Sequence, residues 1–221
     1  MDRGELVAVI GANGSGKSTL ARELNALLPL QMGKLTVLGM DVGNKENHHA
    51  LRRRCGMLFQ NPDNQFVSTV AEEDVAFGLY CYDAPEREIK TSVRLALDKV
   101  GLSHCARRNP HTLSGGEKQR LALAGIIALN PQIIIFDEAA SMLDPPARAE
   151  VLDYLEKLRG DGMTIVMITH VTDEAVRADR ILVLSDGKLI ENGTPRQILT
   201  DIDLLTQARV NRPLLYDFFM T

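Results

Sequence analysis

Hydrophobic residues run along this chain in two patterns, short unbroken blocks and stripes of helical period, and the two alternate. Leu6-Val7-Ala8-Val9-Ile10 is a block of the kind that forms a strand buried on both faces. After it, Leu20, Leu24, Leu27 and Leu28 recur at helical spacing, and Pro29 is expected to stop that helix. Residues 35–38, with Gly39 as the turn, then Gly56-Met57-Leu58-Phe59, Ile133-Ile134-Ile135-Phe136 and residues 164–168 read as further strands. Residues 181–184, the turn Ser185-Asp186-Gly187 and residues 188–191 read as a hairpin.

The stretch 69–112 breaks this alternation. Val70, Val75, Phe77 and Leu79 share a segment with the acidic run Glu72-Glu73-Asp74. Asp83-Ala84-Pro85-Glu86 then reads as an N-cap, with proline in the first turn and a reciprocal carboxylate. Ile89, Val93, Leu97 and Val100 form the buried stripe of that helix, and Gly101 closes it. The segment is predicted to be a helical lobe. Residues 43–54 read as a polar loop entering a basic helix; His48-His49 is placed in the exposed loop, since adjacent residues cannot share one helix face around a metal.

Between the first strand and first helix lies Gly11-Ala12-Asn13-Gly14-Ser15-Gly16-Lys17-Ser18-Thr19. Strand, glycine loop and helix together make the context of a phosphate cradle. The glycines allow successive N–H groups to point at a triphosphate on the positive end of the helix. Lys17 adds charge for the β and γ oxygens, and the Ser18 hydroxyl is placed to ligate Mg²⁺.

Charge and composition limit what can be built on that loop. A net charge of −4, with no basic run longer than Arg52-Arg53-Arg54, argues against a nucleic-acid surface. Cys55, Cys81 and Cys105 lack a CxxC pair, which fits a reduced compartment better than a disulfide or zinc framework. No apolar run has the length of a membrane span, so any membrane role is expected to run through a partner.

A second cradle lies at Leu113-Ser114-Gly115-Gly116-Glu117-Lys118-Gln119-Arg120. Locally, Ser114 and Glu117 form a capping box before a helix that is apolar nearly all round. A cap alone would not require two glycines, so a serine and two glycines at a helix start read as an anion site. The first cradle already satisfies one triphosphate; the second is expected to face another subunit's nucleotide.

The run 113–120 resembles the signature of ABC-type ATPases, and the surrounding motifs follow in that family's order. Ile133-Ile134-Ile135-Phe136-Asp137-Glu138 resembles the Walker B strand, Ser141-Met142-Leu143-Asp144 the loop after it, and Ile168-Thr169-His170 the switch histidine. Gln60 matches the Q-loop glutamine. The wording of residues 59–66 and 69–78 is similar to the ATP-binding subunits of energy-coupling-factor transporters, which import vitamins or metal ions.

That resemblance implies an α/β P-loop NTPase core with an inserted helical subdomain. Residues 1–68 and 113–200 would form the core, 69–112 the lobe and 201–221 a C-terminal tail. It implies an ATPase at the cytoplasmic face of the membrane, paired with a second ATPase subunit, a membrane coupling subunit and a substrate-binding membrane subunit. The nucleotide contacts would be Gly11 to Thr19 on one subunit, and Ser114, Gly115, Gly116 and Asp144 of its mate. The metal ligands would be Ser18, Gln60 and Asp137. The family's adenine-stacking aromatic lies further upstream than the ten residues before Gly11 reach.

The residue types support these roles. Four apolar residues put Asp137 at the end of a buried strand, where it can hold Mg²⁺ opposite Ser18. Strand alternation points Glu138 elsewhere, as general base toward an attacking water. His170 ends the next strand at the same sheet edge and can contact the γ-phosphate or hold Glu138. A DNA-repair ATPase of the family would carry a long coiled coil, and a translation ATPase a second cassette; neither pattern is present. Asp144-Pro145 caps a helix with the stripe Ala147, Val151, Tyr154 or Leu155, and Leu158, closed at Gly160. Thr194-Pro195-Arg196-Gln197 opens another helix. The apolar tail, with Leu204, Leu205, Leu214, Leu215, Tyr216, Phe218 and Phe219, is expected to dock on its own domain or a dimer mate.

Overall fold

A computed structural model describes residues 1–213. Its centre is a six-stranded sheet formed by β1 (Leu6–Ile10), β4 (Cys55–Leu58), β5 (Ile133–Asp137), β6 (Thr164–Ile168), β7 (Arg180–Ser185) and β8 (Lys188–Gly193). The order is β4-β5-β6-β1-β7-β8, parallel throughout except for the antiparallel β8 at the edge. A separate two-stranded hairpin, β2 (Thr36–Val37) and β3 (Met40–Asp41), is shorter than the strand predicted over 35–38.

Strand alternation divides the sheet into two buried faces. Leu6, Ala8, Ile10, Ile134, Phe136, Ile165 and Met167 face one cluster. Val9, Ile135, Val166 and Ile168 face the other, packed with Ala21 of α1 (Lys17–Leu24). The first cluster continues through α5 (Gly115–Ala128) into the lobe, where α3 (Ala71–Cys81) and α4 (Glu86–Lys99) contribute Val75, Ile89, Val93 and Leu97. The stretch between β4 and α5 thus carries two helices that share their core with the sheet. On α6 (Pro145–Gly160), Leu155 rather than Tyr154 takes the buried stripe; the Tyr154 ring lies under Arg120 and Lys157.

Three expected boundaries move, each for a local reason. α1 ends at Leu24, five residues before Pro29. Ala26 takes φ 57°, and the N–H groups of Ala26 and Leu27 bond to Glu23 O and Arg22 O, a Schellman closure with alanine in the usual glycine position. Asp83 does not cap α4. It sits at φ 52° and closes α3 in the same way, with Asp83 and Ala84 donating to Tyr80 O and Leu79 O, while Pro85 precedes α4 without a side-chain cap. His48 and His49 open α2 (His48–Arg54) rather than lying in a loop. His48 Nε2 is 2.8 Å from Val42 O, and His49 packs on the Tyr82 ring.

The remaining elements are α7 (Thr172–Ala175), α8 (Pro195–Thr200) and α9 (Ile202–Gln207). Thr194 and Gln197 form the expected capping box before α8. α9 docks on its own domain through buried Leu205, and Ala208 O accepts the Ala12 N–H of the glycine loop at 3.1 Å. Leu214, Leu215, Tyr216, Phe218 and Phe219 lie outside the described residues. Among the described residues no helix is long and apolar enough to cross a membrane.

Candidate functional site

The parallel strands bring the sequence-predicted groups to one edge. In register, Val9 and Asp137 both flank Ile168, and Leu58 flanks Phe136. The turns that follow β1, β4, β5 and β6 therefore deliver the glycine loop, Gln60, Glu138 and His170 to the carboxyl ends of the strands, where α/β sheets place ligands. A cleft of about 630 Å³ opens there. Its walls include Asn13, Gly14, Gly16, Lys17, Ser18 and Thr19 from the loop, and Gln60, Asp137 and Glu138 from across it.

The glycine loop is held tightly at its base and left open at its mouth. A Cβ on Gly11 would lie 2.2 Å from Leu184 O and 2.7 Å from Ser15 Oγ, so only glycine fits under β7. Gly14 and Gly16 take φ 81° and 99°, and a Cβ on Gly14 would meet nothing within 4 Å. Lys17 is buried, and its ammonium donates to Gly11 O and Ala12 O at 2.9 Å each. Burial holds its pKa below the ordinary value of 10.5, opposed by the charges of Glu138 and Asp137. Ser15 Oγ is buried with no hydrogen-bond partner, a polar atom of the loop that a ligand oxygen can satisfy.

Ser18 Oγ donates to Asp137 Oδ1 at 2.7 Å. A hydroxyl and a carboxylate meeting at the loop's mouth are the hard oxygen donors that Mg²⁺ accepts, so the residues fit the ion the sequence implies. Glu138 follows Asp137 with φ 54°, a left-handed conformation uncommon for a residue with a side chain. Its N–H remains tied to Ile168 O at 3.0 Å, while its carboxylate turns away from Asp137 to lie 3.5 Å from His170 Nδ1. Backbone strain of this kind, about 1–3 kcal/mol, persists where surrounding structure enforces it.

Gln60 Nε2 donates to Ser141 Oγ at 3.1 Å, and Ser141 Oγ donates to Glu138 O at 2.7 Å. Gln60 thereby joins the loop after β4 to the turn that carries Glu138. Sequence reasoning missed the supports of this arrangement. Buried Gln119 donates through Nε2 to Gln60 O and Phe59 O at 3.0 and 3.4 Å; within the polar run Glu117-Lys118-Gln119-Arg120 nothing local marked it as buried. Arg148 donates to the carbonyls of Ala140, Ser141 and Leu143 and lies 3.6 Å from the buried Glu174 carboxylate. Glu174 accepts from Thr169 Oγ1 at 2.6 Å, beside His170. Burial raises the Glu174 pKa, with the Thr169 hydrogen bond opposing. No local motif marked Arg148 or Glu174.

The second cradle is not brought to the cleft. Ser114, Gly115 and Gly116 open α5, and Asp144 caps α6 through the Ala147 N–H. None of these four lines the cleft wall. Ser114 is exposed and bonded to its own cap: its N–H and Oγ donate to Glu117 Oε2 at 2.8 Å each. Gly116 has a packing reason of its own, since an added Cβ would stand 2.9 Å from Ala147 Cβ. Packing is thus a second reason for glycine at 116, beside the anion reading; Gly115 has the freer surroundings, with Leu143 at 3.4 Å.

A model of the ABC transporter family matches residues 1–141. The chain is 49% identical over 212 residues to the energy-coupling factor transporter ATP-binding protein EcfA1 of Symbiobacterium thermophilum, covering 96% of this chain and 74% of that protein. It is 51% identical over 199 residues to EcfA1 of Latilactobacillus sakei, covering 90% and 71%. Among solved structures it resembles CbiO1 of Clostridium perfringens, part of the ABC transporter complex cbiONQ, with TM-score 0.84, 31% identity and coverage of 100% and 89%. It also resembles the ATP-binding cassette MJ0796, solved as a post-hydrolysis dimer bound to ADP and Pi, with TM-score 0.78, 28% identity and coverage of 88% and 87%. The chain belongs to the ABC transporter family, as an ATPase of the energy-coupling factor type.

Proposed function

We propose that this chain hydrolyses ATP between two subunits and passes the resulting motion to membrane partners that import a vitamin or metal ion. The observation that carries the reading is the split between its cradles. One is walled and holds a lysine; the other is exposed, lies off the cleft wall and is bonded within its own cap. The 1–221 span acts as one cassette, with 1–68 and 113–200 as core, 69–112 as lobe and 201–221 as tail.

Each nucleotide would sit on Gly11 to Thr19 of one subunit and meet Ser114, Gly115, Gly116 and Asp144 of its mate. Lys17 exchanges the Gly11 and Ala12 carbonyls for phosphate oxygens, regaining an anionic partner in a buried site. Mg²⁺, held by Ser18 and Asp137 with Gln60 nearby, would neutralise charge on the phosphates. Glu138 takes a proton from the attacking water, and His170 fixes the Glu138 carboxylate or contacts the γ-phosphate. ATP bridges both faces and ADP lacks the bridging phosphate, so closure follows from differential affinity.

The Gln60 loop and the lobe would seat the membrane coupling subunit, placing the chain at the cytoplasmic face. Exposed Val67, Phe77 and Tyr80 lie along that stretch. Affinity capture from detergent-solubilised membranes tests this: integral membrane partners and a second ATPase should co-purify, and a soluble-only catch would overturn the transport assignment. The ATPase itself is tested by Glu138→Gln, which should bind nucleotide and trap a dimer while losing turnover.

A further inference from the structure

At the start of α5, the short turn Ser103–Cys105 brings two more side chains against Glu117. His104, Cys105 and Glu117 each present one donor atom within 4.8 Å of the others. The Cys105 sulfur lies 3.9 Å from Glu117 Oε1, while Glu117 Oε2 takes both bonds from Ser114. We propose that His104, Cys105 and Glu117 form a binding site for a zinc-like divalent transition-metal ion at the base of the serine tip.

The donor set is the first argument. Imidazole nitrogen, thiolate sulfur and carboxylate oxygen are a combination that borderline ions accept, and three protein ligands leave one position for water. The spacing is the second. Zinc bond lengths of about 2.3 Å to sulfur and about 2.0 Å to oxygen put those ligands about 3.5 Å apart in a tetrahedron. The observed 3.9 Å closes to that with a small side-chain shift. His104 is exposed and Glu117 half-buried, so the ion reaches the site from solvent, while Cys105 is fully buried behind them.

Arg108 tempers the affinity. Its Nη1 is 3.9 Å from the Cys105 sulfur, and its charge repels a dication. Binding is therefore weaker than at a closed four-ligand site, and it releases the Cys105 proton to solvent. The other thiols do not compete well. Burial pushes the Cys55 thiol up to about 12, and Cys81 belongs to no such cluster among the described residues.

Occupancy has a consequence that rests on the function proposed above. An ion on Glu117 Oε1 fixes the carboxylate in the orientation whose Oε2 holds the Ser114 hydroxyl, so Glu117 can no longer turn aside when a mate's triphosphate draws that hydroxyl away. The ion is then a brake on closure.

Titration of the nucleotide-free full chain with Co²⁺ tests the site directly. One equivalent should bind with a thiolate-to-cobalt absorption band, be displaced by Zn²⁺, and vanish in Cys105→Ser. His104→Ala, a surface change that leaves metal-free turnover intact, should weaken binding at least about tenfold, a loss that even outer-shell changes can produce. A featureless titration, a band that survives Cys105→Ser, or parental affinity in His104→Ala overturns the site. Cys105→Ser replaces a buried group, so if it fails to fold the His104 variant decides. Zinc should also slow ATP turnover in the parent and not in His104→Ala; cobalt binding without that difference overturns the brake and is distinguishable from a failure of the Ser114 reading, which Ser114 variants test without metal.

Discussion

At the glycine loop, Lys17 is 4% exposed, pinned between two loop carbonyls, with Ser18 and Asp137 in contact in front of it. At the start of α5, Ser114 lies exposed, its hydroxyl returned to Glu117, off the wall of that cleft. Both places use a serine, glycines and a helix N-terminus. They differ in what surrounds them. The first sits where four strands end and is enclosed by the chain itself; the second is on a helix that borders the lobe, and among the described residues it lies exposed. A helix start favours an anion by roughly 0.3–1 kcal/mol when exposed, too little to hold a triphosphate alone. Enclosure, not motif chemistry, separates the two places.

The largest effect expected on this contrast comes from the enclosed side. Glu138→Gln removes a proton acceptor 3.5 Å from His170 and keeps the shape. Turnover should fall by about 10²–10⁴, the range of general-base contributions, with nucleotide affinity near the parent's. Phosphate release assays beside fluorescent-nucleotide titration check it; a variant that turns over at the parental rate removes Glu138 from the base role.

Next comes the open side. Ser114→Arg fills the exposed tip without touching the cleft, so turnover should drop by about 10² or more, the size of losing one transition-state donor. Nucleotide binding to the isolated subunit should change little. If that binding weakens in step with turnover, both cradles serve one chain and the contrast collapses.

Gly116→Ala sharpens the same comparison by separating packing from phosphate contact. Its Cβ would stand 2.9 Å from Ala147 Cβ, an overpacking that should lower stability by about 1–3 kcal/mol. Ala147→Gly should restore most of that loss in a thermal melt. If the double variant regains stability and also turnover, Gly116 serves α5–α6 packing alone.

Much of the enclosed side was legible because its signals are local. The block of residues 6–10 runs into the glycine loop, and Ile133-Ile134-Ile135-Phe136 runs into Asp137 and Glu138, so apolar blocks ending in chemistry placed those groups on one sheet edge. Missing from such patterns is whatever depends on distant partners. Arg148 and Glu174 meet only because α6 and α7 return to the same turn, and Gln119 reaches the Gln60 loop only once α5 has packed. Asp83 misled for a different reason: an aspartate before Ala-Pro-Glu suits the start of α4, yet the same residue tolerates the left-handed conformation that α3 needs to close. Two helices competed for one residue, and spacing alone does not rank them.

The smallest effect lies at the other end of β1, away from both cradles, and it separates loss of fold from loss of site. Arg180 donates from Nε and Nη2 to the Glu5 carboxylate at 2.7 and 3.1 Å, joining the start of β1 to β7. Burial alone would raise the Glu5 pKa, but the Arg180 hydrogen bonds and charge outweigh it and hold it below 4.5. A carboxylate with a depressed folded-state pKa stabilises the fold above its unfolded value, and that stabilisation is lost as pH falls through the folded one. Stability should therefore decline in the acid range below 4.5, by about 1 kcal/mol from this pair. Glu5→Gln should flatten that part of the pH–stability profile and leave turnover at neutral pH unchanged. An acid decline identical in parent and variant would show that the clamp does not report on the strand. A fall in neutral turnover would show that strain at the foot of β1 reaches the glycine loop five residues above it, which would make the enclosed cradle depend on more than its own walls.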